Sequence, residues 1–158
     1  MTPDWSNFED AFGVAFAATD ILPGVLSADA TTRADALGYL YGALHHQDTV
    51  YGATAPAVDY VLTILGDPRA DPMRVALLRW LTSVLDAARW KAGHPADVDA
   101  CLARRPRVRD AMDAFRTDAD LTVAHAALEV VAACEDVAPP PAARATPGGG
   151  SWSPTPPF

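Results

Sequence analysis

Apolar and polar positions along this chain repeat at the spacing of helices. Leu37, Leu40, Tyr41 and Leu44 fall at i, i+3, i+4 and i+7, which predicts one inward stripe on a helix over 31–47. Asp29 or Thr31 can cap its start, and Arg33 and Asp35 lie off the stripe. Upstream, Thr19-Asp20-Ile21-Leu22-Pro23 reads as a helix opening, with the proline tolerated in the first turn. Thr54 is positioned to cap a helix that buries Val58, Val61, Leu62 and Leu65 and closes at Gly66-Asp67-Pro68. Asp71-Pro72 is the clearest start signal, a capping carboxylate followed by a proline. The helix it predicts turns Val75, Leu78, Leu81, Leu85 and Ala88 inward and ends at Gly93-His94-Pro95. Two shorter pieces follow at 97–104 and 107–116, broken at Pro106. A last helix over 119–135 can be capped by Asp118. No stretch alternates apolar and polar residues over the length of a strand. The expected class is all-α, about six or seven helices paired across short loops, as in a bundle or a stacked array.

The last of these helices carries few strongly polar groups, chiefly His125 and Glu129, between Leu121 and Cys134. A helix apolar nearly all round needs cover on more than one side. A central position in the domain supplies that cover; so does the tail, a partner, or a second copy of the chain packed on Leu128 and Val131, which makes a homodimer or hetero-complex the expectation to test.

Composition narrows the function. The 158 residues suffice for one domain with a core of its own, and alanine, the best helix former, supplies about a fifth of them. Seven of the fourteen prolines, together with Gly148-Gly149-Gly150, crowd the last twenty positions. Missing backbone donors and high ordering entropy place them outside the core. The division is a domain over 1–137 and a disordered Pro/Gly-rich tail over 138–158, ending in Ser151-Trp152-Ser153-Pro154-Thr155-Pro156-Pro157-Phe158. The net charge of −8 disfavours a nucleic-acid binder and suits a basic partner. No apolar run reaches the ~20 residues that span a bilayer, and the first residues do not read as a secretory leader. Cys101 and Cys134 are too few for a disulfide framework or a cysteine zinc site, so the default location is the cytoplasm.

The stretch from Trp5 to Trp90 resembles an actinobacterial group of HEAT-like repeat proteins. The residues that carry the likeness are Asp4-Trp5-Ser6, Phe8-Glu9-Asp10-Ala11-Phe12-Gly13, and the spaced Arg33, Ala36, Leu37 and Leu40. His46-Gln47-Asp48-Thr49-Val50-Tyr51 and Ala53-Thr54-Ala55-Pro56-Ala57-Val58 add to it. Asp48 stands where that group is expected to have glycine, and Gly52 where it is expected to have proline. The resemblance implies a short α-α superhelix, shorter than the group's usual arrays, and says little of activity. Such repeats usually bind proteins or peptides.

Chemistry is sparse. His45, His46, Gln47 and Tyr51 concentrate polar and aromatic groups, the one place where a metal or acid–base site suggests itself. Adjacent histidines on a helix diverge by about 100°, a poor ligand pair, and nothing in the sequence brings Asp48 or Asp59 to the same side. The structural account has His46 and Gln47 bonding open carbonyls at a helix end while Tyr51 packs on the next helix. Trp5, Trp152 and Phe158 are further large aromatics available to a binding surface. No GxSxG, Walker loop, HExxH or strand-borne GxGxxG is present, so no catalytic residue, metal or cofactor is assigned. Arg104, Arg105, Arg107 and Arg109 form a basic cluster, read as a solvated face or a phosphate contact. The expected function is a non-catalytic module binding a protein or peptide, such as an adaptor or an immunity-like inhibitor of a basic protein. Two alternatives stand beside it: a carrier whose C-terminal peptide is docked, modified or cleaved, and an enzyme with an atypical site at His45 and His46.

Overall fold

The structure, a computed structural model, describes residues 2–135. The expected tail over 138–158, with Trp152 and Phe158, lies outside the described residues. The described chain is mostly helical: α1 (Ala18–Ile21), α2 (Ala30–Tyr39), α3 (Thr54–Ile64), α4 (Arg74–Arg89), α5 (Pro95–Leu102), α6 (Arg105–Met112) and α7 (Leu121–Cys134). The sixteen-residue α4 is the hub, with α7 and α5 against it and α6 packed on α7. Its Leu77, Leu78, Trp80, Leu81, Val84 and Leu85 are fully buried. Trp80 is the centrepiece, and its indole N–H donates to the Leu40 carbonyl at 3.0 Å. A buried indole needs such an acceptor, and here the bond also ties α4 to the end of α2.

One element departs from helix. Glu9–Asp10 (β1) and Gly13–Val14 (β2) form an antiparallel ribbon, Glu9 opposite Val14 and Asp10 opposite Gly13. Its polar groups are pinned from several sides. Phe12 N–H donates to Asp10 Oδ1 at 2.8 Å, and Ala11 N–H reaches the Ala43 carbonyl at 3.0 Å. Ala53 N–H reaches the Glu9 carbonyl at 2.8 Å, and the Tyr39 hydroxyl donates to Asp10 Oδ2 at 2.7 Å. The alternation at 12, 14 and 16 spans too few residues, with small Gly13 and Ala15 between, to read as a strand by pattern alone.

Several boundaries differ from expectation. The helix expected over 31–47 is α-helical only to Tyr39, then widens into a π turn over Leu40–Leu44. That wider turn changes the phase: Leu40, Ala43 and Leu44 point inward while Tyr41 is exposed. Asp29 is the cap, accepting from Thr32 N–H at 2.7 Å. Asp71-Pro72 does not open α4. Asp67 caps a 3₁₀ segment, Pro68–Met73, and α4 begins after it at Arg74. Two prolines close together leave the segment short of N–H donors, which favours the short turn over a regular first helical turn. Thr54 is not a cap but lies inside α3, where its hydroxyl donates to the Leu44 carbonyl and accepts from Tyr51 N–H. Pro106 does not break a helix; it sits in the first turn of α6, where its missing donor costs nothing. The last helix is capped by Asp120, and Asp118 instead accepts from Asp120 N–H.

The α7 helix is less uniform than its composition. Val123, Ala126, Ala127, Val130 and Ala133 face the interior, covered by α4 and α6, while Leu121 and Leu128 stay exposed and Val131 is half-buried. Its own domain therefore supplies most of the cover that an apolar helix needs. Among the described residues no helix is long and apolar enough to cross a membrane.

Candidate functional site

The segment 45–51 is where the ribbon, α4 and the α4–α5 connection converge. After the π turn the chain enters a short 3₁₀ segment, His46–Asp48, with two consecutive left-handed residues, Gln47 at φ 50° and Asp48 at φ 54°. Side chains other than glycine pay about 1–2 kcal/mol each for this conformation, least for Asn and Asp. Asp48 and Gln47 both take up this left-handed conformation.

His45 holds this strained turn in place. It is 2% exposed. Its Nδ1 is 3.3 Å from the Thr49 carbonyl, which can only accept, so Nδ1 carries the proton. Nε2 then accepts from the Ser83 hydroxyl on α4 at 2.7 Å. Burial pushes the imidazole pKa below its ordinary 6.5, against smaller opposing effects of the Thr49 carbonyl and Asp48. Below this clip the chain is held again: Val50 N–H donates to the Ala92 carbonyl at 2.9 Å, and Val50 bridges to Gly93. Gly93, at φ 147°, has no room for a Cβ, which would lie 2.5 Å from the Val50 carbonyl oxygen.

A serine hydroxyl on a histidine nitrogen is also the geometry of a nucleophile and its base. Ser83 lies mid-helix, however, where neighbouring N–H groups are committed to the helix ladder rather than turned toward a developing oxyanion. Among the described residues no group of three or more His, Cys, Asp or Glu is placed to hold a metal. Burial pushes the Cys101 thiol to about 12 and Cys134 to about 11, so neither is a ready thiolate. The arrangement is built to brace a loop.

The other residues singled out in the sequence separate. The carbonyls at the helix end are taken not by His46 or Gln47 but by the Trp80 indole on Leu40, Ala11 N–H on Ala43 and the Thr54 hydroxyl on Leu44, while His45 braces the turn that follows. His46 is half-buried, its ring 5.5 Å from that of Phe12, and Gln47 is exposed. Tyr51 is half-buried just before α3, and Trp5 is a core residue rather than a surface aromatic. Asp59, on α3, does not approach the histidines; it binds Arg104 at 3.1 Å and Arg107 at 2.9 Å. With Arg109 on Glu135 at 3.4 Å, the basic cluster is largely answered from within the fold. Sequence reading missed an outward apolar display: Phe12, Val14 and Phe16, 78%, 46% and 64% exposed, on and beside the ribbon. Ala15 is buried between the last two, at a tight turn closed by Phe16 N–H on the Val14 carbonyl at 2.9 Å. The signal was the spacing of 12, 14 and 16. No protein-family model, curated protein or solved structure matches this chain.

Proposed function

We propose that this chain is a non-catalytic, HEAT-like helical module that grips a protein or peptide through the ribbon at its N-terminal end. One observation carries the reading. Three large apolar side chains protrude from a ribbon whose polar groups are tied to α2, the π turn and the chain leading into α3. Rigid backbone combined with exposed Phe12, Val14 and Phe16 is costly in water and favourable against a partner. At about 200 Å² per aromatic ring, the three present on the order of 350 Å², within the range of functional patches on single domains.

Charge selects the partner. Asp4, Glu9, Asp10, Asp20 and Asp29 surround the patch in sequence, and no lysine or arginine precedes Arg33. An apolar patch in an acidic field fits a basic surface carrying an apolar or aromatic anchor. An inhibitor that masks a basic protein is one form of this function. The test is affinity recovery from the native host by wild type and by Phe12→Ser/Phe16→Ser. The expected partner is basic, salt-sensitive and bound at least about tenfold more weakly by the double variant, since each buried aromatic anchor contributes on the order of 2 kcal/mol. Equal recovery by the two proteins, or a consistently acidic partner, refutes the proposal.

A further inference from the structure

A second surface, remote in sequence from the ribbon, has the form of a side-chain receptor. Lys91, Gly93, Pro95, Val98, Asp99 and Leu102 line a cleft of about 280 Å³ between the α4–α5 connection and α5. Its floor is apolar, with Val98 buried and Leu102 half-buried, and Lys91 and Asp99 stand at the rim. The exposed Trp90 immediately precedes it, with the Arg89 guanidinium 5.7 Å from its ring centre. The cleft is preformed. Lys91 (φ 57°) and Gly93 (φ 147°) set the connection, while Ala92 N–H bonds the Ala87 carbonyl and the Ala92 carbonyl accepts from Val50. Preformed walls remove much of the ordering cost of binding.

We infer that this cleft receives the side chain of Trp152 from the chain's own segment 151–158, with the following prolines laid along Trp90. Size is the first argument. A dry cavity of about 150 Å³ accommodates a benzene ring, so this one has room for a bicyclic indole, whose N–H can donate to the Asp99 carboxylate. Chemistry is the second. Ser151-Trp152-Ser153-Pro154-Thr155-Pro156-Pro157-Phe158 carries no charged side chain and therefore meets no repulsion from the acidic domain. Proline-rich extended segments characteristically pack on exposed aromatics such as Trp90.

Reach is the third argument. Helix α7 ends beside α6, with Glu135 on Arg109, and α6 begins at Arg105, three residues beyond the cleft's Leu102. Sixteen residues separate Glu135 from Trp152. A linker of that length has an extended reach of about 50 Å. A domain of this size has a radius of gyration of about 14 Å, so the cleft is within that reach. The tethered peptide then faces its site at an effective concentration on the order of 1 mM, and a contact with millimolar affinity is half occupied.

The test is methyl-resolved NMR of the full chain, wild type against Trp152→Ala. In the wild type, ring current from the indole shifts the Val98 and Leu102 methyls upfield, and Trp152→Ala abolishes that shift. Adding the octapeptide of residues 151–158 to the Trp152→Ala chain at millimolar concentration restores it, whereas the same peptide with alanine for its tryptophan does not. Val98 and Leu102 signals indifferent to Trp152→Ala overturn the inference. So does a response confined to the methyls of Val14 or to those of Leu121 and Leu128. Shifts that grow with protein concentration overturn it as well, because they assign the cleft to a second copy's tail. The ribbon proposal is untouched by any of these results.

Discussion

Gly93→Ala tests whether the brace between segment 45–51 and the α4–α5 connection stabilises the fold. The added methyl would lie 2.5 Å from the Val50 carbonyl oxygen and 2.8 Å from Val50 Cγ2, at a φ of 147° that side chains rarely adopt. Backbone forced into such a region costs of order 1–3 kcal/mol. Relief by moving the loop also weakens the Val50–Ala92 hydrogen bond, about 1 kcal/mol more. The expected destabilisation is therefore about 3 kcal/mol, a fall in Tm of roughly 10 °C for a domain of this size. Gly38→Ala is the matched control. Gly38 is inside α2 with nothing within 4 Å of an added Cβ and no positive φ, so the same change stabilises by roughly 0.5–1 kcal/mol. Urea unfolding followed by circular dichroism, with the two slopes compared, measures both. A loss below about 1 kcal/mol at Gly93, or equal effects at the two sites, would refute the role given to this contact.

Two further outcomes follow from buried polar groups. Because burial holds His45 below 6.5 in the folded state, the unfolded chain binds its proton first. The stability that neutral His45 contributes is present above pH 6.5 and is lost as pH falls from there toward the folded pKa. Asp48 is 3.9 Å from Nε2 but almost wholly solvated, so it offsets little. Wild type should lose Tm between about pH 7.5 and 5 more steeply than His45→Gln, and parallel curves would exclude His45 as the cause. Trp80→Phe removes the donor to the Leu40 carbonyl and leaves a gap beside it. The expected cost is about 3 kcal/mol, read as a lower urea midpoint at unchanged slope; a loss under about 1 kcal/mol would mean the π turn does not depend on that bond.

The helices were legible from the chain, and with them the inward Val58 and Val61 of α3 and Leu78, Leu81, Leu85 and Ala88 of α4, but not Leu77, Trp80 and Val84. In a sequence this rich in alanine, a one-sided apolar stripe at the helical period is compatible with little besides a helix. Their ends were not legible. Asp71 and Asp67 both precede proline, and which carboxylate caps a segment depends on where the next turn must go to place Leu77 and Trp80 in the core. The π turn was hidden for a related reason. One extra residue per turn leaves the local composition unchanged and shows itself only in which side chains, Tyr41 or Ala43, end up buried.

The candidate site was half visible. Segment 45–51 stood out as a concentration of polar and aromatic groups, yet its working residue, His45, could not be told from His46. The difference lies in a partner thirty-eight positions away, Ser83. Trp5, expected on the surface, is buried because the 3₁₀ segment at Trp5–Asn7 turns it into the core.

Local propensity and period, both properties of neighbouring residues, determined from sequence alone an all-α chain with a tail of distinct composition. Tertiary structure decided what is exposed and what is paired. It answered the arginines of α6 and the chain leading into it with Asp59 and Glu135, covered most of α7 with α4 and α6, and left Phe12, Val14 and Phe16 in solvent. Burial and ion pairing are set by groups distant along the chain, and a one-dimensional pattern carries no record of which distant groups will meet.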